Sequence, residues 1–192
     1  MHSSNNCINV KYYNLPATLA LYTAKQGGVF MSVDFLSALA FYPAYATHGL
    51  SCQVVYASNT VASDLCMGTL VKHACRQFAL DKKALANAAQ FVSGRRNLVP
   101  LTLCVDRTFV PLKALTPRVS GDSAYGYFLL QAIAKVEAER NGSRLFLANG
   151  VTLPLVQSRP VAMNHLARAA LFEKVFWSKR LGSAFSTGVW QA

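Results

Sequence analysis

A hairpin pattern in the C-terminal third constrains the fold of this chain most strongly. Residues 144–155 contain two β-like runs that are separated by Asn149 and Gly150. An Asn-Gly pair supplies the two positive φ values of a type I′ turn, which connects neighbouring antiparallel strands. The sequence therefore predicts antiparallel β-structure here.

A long helix pattern follows the hairpin directly. Ser158 is a suitable N-cap, Pro160 fits the first turn, and the pattern runs to about Leu181, where Gly182 is the expected stop. Its apolar residues cover a wide arc, so the helix must pack on the β elements. We therefore predict an α+β fold, rich in antiparallel β-sheet, with a C-terminal helix packed on the strands.

The remaining elements are predicted from shorter patterns. Residues 81–91 have the alanine content of a helix, residues 32–40 predict a short helix that ends before Pro43, and a further helix is expected to start within 63–70. The stretch 125–138 is compatible with either a strand or a helix. Strands are predicted at 8–13, 17–22, 53–56, 98–105 and 108–111.

The domain organisation is predicted from length and composition. A chain of 192 residues with 53% hydrophobic residues is long and apolar enough to bury a sizeable core. We predict a single domain over residues 1–182, with an apolar insertion at 27–50 and a flexible tail at 183–192. The longest apolar stretch, residues 29–46, contains Asp34 and Pro43 and is too short to span a membrane, so we interpret it as core.

The charge of the chain is confined to its second part. Residues 1–71 carry two Lys and two Asp, whereas residues 72–192 carry seventeen Lys and Arg against six Asp and Glu, which accounts for the whole net charge of +11. A basic half of this kind favours an extended acidic partner, and nucleic acid is the first candidate. An anionic membrane surface or a merely basic surface is the alternative.

Recognisable enzyme and metal motifs are missing from the sequence. The four His do not pair at ligand spacing, the eight acidic residues are scattered singly, and no phosphate-binding glycine loop occurs. His73 and Cys75 are two residues apart and would share a face only on a strand. We therefore predict no enzymatic activity, no cofactor and no metal site, and leave open an enzyme without a short motif.

Cysteine usage and the N-terminus predict a cytoplasmic location. The five Cys have no repeated spacing, and residues 1–6 lack the basic and apolar regions of a secretory signal. Reduced thiols are the simplest interpretation of this pattern.

The basic residues are the candidate binding groups. Five of them lie within 21 residues, with Phe78 and Phe91 between them, and Lys and Arg neutralise backbone phosphates. Arginine in loops also enters the narrow minor groove of A·T-rich DNA. We interpret Phe78 and Phe91 as core residues. The predicted DNA-binding residues are Arg76, Lys82, Lys83, Arg95, Arg96, Arg118, Arg168 and Lys179.

Several short motifs resemble, in collinear order, the competence transcription factor (ComK) family over roughly residues 10–175. They are Leu15–Ala20, Cys75–Phe78, Pro100–Leu101, Phe109–Pro111, Thr116–Arg118, Asn149–Gly150 with Thr152–Pro154, and Asn164–Arg168. The chain has Ala84–Leu85 where the family has a Gly-Arg pair, and Leu98–Val99 where it has a basic dipeptide. It therefore resembles a divergent member.

The resemblance implies a cytoplasmic transcription activator that switches on DNA-uptake genes. It also implies binding of double-stranded, A·T-rich DNA from the minor groove as a homo-oligomer, and regulation by an adaptor that delivers the protein to a protease. Two alternatives stay open from the residues. One is a general nucleic-acid or RNA-binding module, and the other is a protein-interaction module that uses the apolar segment 29–46.

Overall fold

A six-stranded antiparallel sheet forms the centre of the computed structural model, which describes residues 33–47, 49–94 and 97–182. All described residues belong to one compact unit that begins at Val33. Its strands are β1 (Ala40–Ala46), β2 (Gly49–Val55), β3 (Thr60–Ser63), β4 (Leu101–Cys104), β5 (Arg107–Lys113) and β6 (Tyr125–Leu129). They lie in the order β3-β2-β1-β6-β5-β4.

A second, three-stranded antiparallel sheet and three helices complete the fold. Helices α1 (Met67–Gln77) and α2 (Lys82–Ser93) connect β3 to β4, and a short 3-10 turn (Leu130–Ala132) leads from β6 into the small sheet. The last elements are β7 (Ile133–Glu139), β8 (Gly142–Leu147), β9 (Thr152–Leu155) and α3 (Arg159–Leu181). The small sheet has the order β7-β8-β9, and α3 follows it.

Both faces of the large sheet are buried. Alternate residues of a strand point to opposite faces, so neighbours such as Phe109 and Val110 on β5 enter different cores. The first core lies under α1, α2 and the C-terminal half of α3, to which α3 contributes Phe172 and Phe176. The second core lies between the two sheets and receives Ala162 and Ala169 from α3. Helix α3 therefore joins both cores, as expected of a helix with apolar residues around a wide arc.

The prediction of an α+β fold with a C-terminal helix on antiparallel strands is confirmed. Helix α3 has the predicted limits, and α2 begins after Asp81, whose carboxylate accepts the Ala84 N–H at 2.6 Å. The ambiguous stretch 125–138 is resolved as β6, the 3-10 turn and the start of β7. The strands predicted at 8–13 and 17–22 and the tail 183–192 lie outside the described residues.

The helix predicted over residues 32–40 is wrong within the described range. The Asp34 carboxylate accepts the Leu36 N–H at 2.9 Å and the Ser37 hydroxyl at 2.6 Å, which forms a local turn instead of a helix. Strand β1 then begins at Ala40 and runs through Pro43, between β2 and β6. Residues 40–46 of the predicted insertion are therefore a central strand of the large sheet.

The β8–β9 hairpin is present where it was predicted, but its turn type differs. The Gly150 N–H donates to Leu147 O at 3.0 Å, and only Gly150 of the Asn-Gly pair has a positive φ, +85°. This is the pattern of a type I turn followed by a bulge. Asn149 instead donates its side-chain amide to Tyr56 O at 2.9 Å, so the turn is attached to the end of β2.

Helix α1 ends in a Schellman motif with alanine at the left-handed position. The Leu80 N–H donates to Cys75 O at 2.8 Å and the Ala79 N–H to Arg76 O at 3.0 Å. Ala79 has a φ of +52°, which a residue with a Cβ adopts at a cost. The motif fixes the direction in which the chain leaves α1 toward α2, and the positive φ of Ala79 strains the backbone there.

We expect Ala79→Gly to stabilise the protein by about 1 kcal/mol, because glycine adopts positive φ without a Cβ clash. Ala167→Gly is the matched control, since Ala167 is an exposed residue in the interior of α3 and its replacement should cost about 1 kcal/mol. Urea unfolding of both variants measures the two effects. A loss of stability in Ala79→Gly would contradict the backbone strain inferred at Ala79.

Candidate nucleic-acid interface

The ion pairs of the described chain and a large group of exposed cations without carboxylate partners lie on different layers of the fold. The two ion pairs of the described chain, Lys135–Glu137 and Arg144–Glu139, both lie on the β7–β8 hairpin. In the described residues of the helical layer, which we define as α1, α2 and the C-terminal half of α3, no Lys or Arg forms an ion pair with a carboxylate. These cations are Lys72, Arg76, Lys82, Lys83, Lys174, Lys179 and Arg180, and all of them are exposed.

Three of the predicted DNA-binding residues meet where α1 turns into α2. Arg76 is exposed in the last turn of α1, and Lys82 and Lys83 are exposed in the first turn of α2. Only residues 78–81 connect the two helices, so these helix ends lie close together. We call these three cations the α1–α2 corner.

The residues around Arg76 hold this corner in place. Cys75 is buried, and burial raises the pKa of its thiol despite the opposing effect of Lys82, as expected of a packed rather than reactive thiol. The Gln77 side chain accepts the Phe35 N–H at 3.0 Å and donates to Asp34 at 3.2 Å. Phe78 packs against the first core, as predicted. Arg76 is thus the residue of this motif that faces solvent as a cation.

The position of Lys82 and Lys83 opposes the electrostatics of α2. A helix N-terminus carries a partial positive charge, so two cations in the first turn are unfavourable. The first turn holds no acidic residue, and Asp81 at the N-cap provides the compensation. The stability of α2 therefore does not explain why Lys82 and Lys83 stand in its first turn, whereas a bound anionic ligand would relieve their repulsion with the helix N-terminus.

A second basic group lies where the last turns of α2 and α3 meet. The Lys179 ammonium lies 4.8 Å from the centre of the Phe91 ring, and the Arg180 guanidinium lies 3.7 Å from the centre of the Phe176 ring. Cation–π contacts of this kind restrict the positions of both cations. We call Phe91, Lys179 and Arg180 the α2–α3 end. The two helix C-termini also favour cations here, through their partial negative charges.

Arg168 continues the α2–α3 end along the helix. Arg168, Phe172 and Lys179 are spaced by four and seven residues and therefore lie along one stripe of α3. Arg168 is half-buried and about 16 Å from Lys179 along the helix axis. Arg95 and Arg96 lie outside the described residues; in the sequence they follow Gly94, which caps α2.

Arg118 is not brought together with the other predicted residues. It lies in the β5–β6 loop, beyond the C-terminal end of β5. The last turns of α3 lie near the opposite end of β5, where they line a groove together with Asp106. The Arg118 guanidinium lies 4.2 Å from the centre of the Tyr45 ring, and the backbone N–H of Arg118 donates to Tyr45 Oη at 2.5 Å. Tyr45 in turn donates to the Asp122 carboxylate. Arg118 is therefore part of a local contact that ties the loop to β1.

Sequence reasoning missed two members of the site. Phe91 was interpreted as core, and this was wrong: its side chain is 81% exposed. Arg180 was left out of the predicted set, although it shares the last turn of α3 with Lys179. The spacing in α2 contains the signal for Phe91, because Leu85 and Ala89 define the buried face and Phe91 falls outside it.

The described ranges contain neither a metal-binding cluster nor a membrane-spanning helix. Within them, no group of three or more His, Cys, Asp and Glu side chains is arranged to hold a metal ion. None of the helices described there combines the length and the apolar character needed to cross a bilayer. Comparison of the chain with protein-family models, curated proteins and solved structures gave no significant match.

We expect Lys83→Glu to stabilise the protein by about 0.5 kcal/mol, because it replaces an unfavourable charge at the N-terminus of α2 with a favourable one. Lys179→Glu makes the same charge change at the C-terminus of α3 and should destabilise by a similar amount. Urea unfolding at low ionic strength measures both. Shifts of the same sign would mean that the helix termini do not govern these positions.

Proposed function

We propose that this protein is a cytoplasmic, DNA-binding transcription activator of the competence type that contacts A·T-rich sites through its helical layer. One observation carries the proposal: the exposed cations of the helical layer have no carboxylate partners among the described residues, whereas Lys135 and Arg144 on the β7–β8 hairpin are each paired with a glutamate. Unpaired Lys and Arg on one layer neutralise phosphates and release counterions, which is the main source of affinity for DNA.

The spacing of the two basic groups fits a single duplex. The α1–α2 corner and the α2–α3 end are separated by the length of α2, and Lys83 and Phe91 lie about 12 Å apart along its axis. One turn of B-DNA is about 34 Å long, so both groups can contact phosphates of the same turn. Arg95 and Arg96 follow α2 in the sequence and supply the candidates for A·T-rich minor-groove contacts.

The regulatory part of the proposal rests on the collinear resemblance to the competence transcription factor family. It includes activation of DNA-uptake genes, a homo-oligomer on paired sites, and an adaptor that hands the protein to a protease. The protein-interaction alternative receives less support, because Phe35, Ala38, Ala40, Phe41 and Pro43 of the apolar segment are buried.

Removal of cations from the helical layer, or of the two arginines that follow α2 in the sequence, should weaken DNA binding and reduce its salt dependence. We expect Lys82→Ala with Lys83→Ala, Lys179→Ala with Arg180→Ala, and Arg95→Ala with Arg96→Ala each to lower the slope of log K against log salt. Each lost phosphate contact should change the slope by about 0.9, so each pair should change it by nearly 2. Binding titrations of an A·T-rich duplex between low and moderate salt measure the slope.

A charge-matched control lies on the small sheet. Lys135→Ala with Arg140→Ala removes two positive charges from β7 and the turn after it, and should leave the slope unchanged. An equal decrease of the salt slope in this control variant would show that net charge alone drives binding. Equal wild-type affinity for A·T-rich duplex, G·C-rich duplex and structured RNA would replace specific activation with general nucleic-acid binding.

A further inference from the structure

The α2–α3 end contains a groove that phosphate binding alone does not explain. A cavity of about 380 Å³ lies between the two helices, which is within the size of small-ligand pockets, roughly 300–1,000 Å³. Its apolar lining comes from Ala88, Phe91, Val92, Phe172, Val175 and Phe176. Lys179 and Arg180 complete the lining, and none of the described residues that line it is acidic.

Phe91 is the unusual member of this groove. An exposed Phe at 81% accessibility contributes little to the core, and its ring carries a lysine ammonium at 4.8 Å. The ammonium lies over the ring, and most of the surface of Phe91 remains open to a second group. A planar aromatic group stacks well on such a ring, and nucleobases do so without regard to sequence.

The charges at the groove select the kind of aromatic group. Lys179 and Arg180 are held over Phe91 and Phe176, so two cations border an apolar slot. A nucleotide presents an aromatic base and an adjoining phosphate, and therefore matches both parts of the groove. A base within an intact duplex is covered by its neighbours on both faces, so only an unpaired base can stack on Phe91.

We propose that the α2–α3 groove takes up a single unpaired nucleobase, stacked on Phe91, with Lys179 and Arg180 on the adjoining phosphates. This inference rests on the proposed nucleic-acid binding and adds a preference to it: DNA with an unpaired base is the better ligand. The affinity gain expected from one base stacked on one aromatic side chain is about tenfold.

The test compares an A·T-rich duplex with the same duplex carrying one bulged nucleotide. Wild-type protein should bind the bulged duplex about tenfold more tightly. Phe91→Ala and Phe91→Leu should remove this preference, because they lower affinity for the bulged duplex about tenfold more than affinity for the intact duplex, and Phe91→Tyr should retain it. Phe91→Leu keeps an apolar side chain without an aromatic ring, so it separates stacking from apolar contact. Circular dichroism of each variant checks the fold.

The outcomes separate this inference from the proposed function. Equal wild-type binding of both duplexes, or an equal loss on both in Phe91→Ala, overturns base uptake and leaves duplex binding intact. Retention of the preference in Phe91→Leu also overturns it. Failure of the wild-type protein to bind either duplex overturns the proposed function itself, and base uptake with it.

Discussion

The burial of both faces of the large sheet is the constraint on which the rest of the structure depends. On β5, Phe109 and Val110 are fully buried on opposite sides, and Phe41 and Ala40 do the same on β1. A sheet of this kind excludes charge from both faces, because an unpaired buried charge is costly. The cations of the basic half therefore lie on the covering layers, in loops, or at the ends of strands, as Arg107 and Lys113 do at the two ends of β5.

The two covering layers differ in how they accommodate these cations. On the small sheet, β7 and β8 pair Lys135 and Arg144 with glutamates across or along the hairpin. On the helical layer, Lys82 and Lys83 lie at a helix N-terminus that disfavours them, and Phe91 is exposed beside Lys179. Local violations of folding preferences are expected where a surface serves a ligand. The helical layer is therefore the side of the fold to which we assign the proposed DNA contacts.

Much of the fold could be predicted because its signals were local. The cap at Asp81 and the Gly182 stop fixed the limits of α2 and α3 through interactions within a few residues. The error at residues 32–40 has a local and a non-local cause. The Asp34 carboxylate holds a turn through Leu36 and Ser37, and from Leu39 onwards the backbone bonds to β2 and β6, which overrides local helix preference. The turn type at Asn149 depended on its distant contact with Tyr56 in the same way.

The site was predictable in composition and only partly in arrangement. Charge confinement to residues 72–192 identified the cations, but only the packing of the helices shows that Lys179 meets Phe91 and that Arg118 is engaged with Tyr45. Sequence distance gave no indication of either contact, because both depend on how separate elements pack. Of the predicted basic residues that the structure describes, Arg76, Lys82, Lys83 and Lys179 lie on the helical layer, Arg168 lies nearer the start of α3, and Arg118 is held in a local loop contact.

The most direct test is hydrogen–deuterium exchange of the full chain with and without a saturating A·T-rich duplex. Binding through the helical layer predicts slower exchange in residues 76–85 and in the last turns of α2 and α3, with no change in the β7–β8 hairpin or the β5–β6 loop. Protection confined to that hairpin or loop, or no protection of the helical layer at saturation, would contradict it.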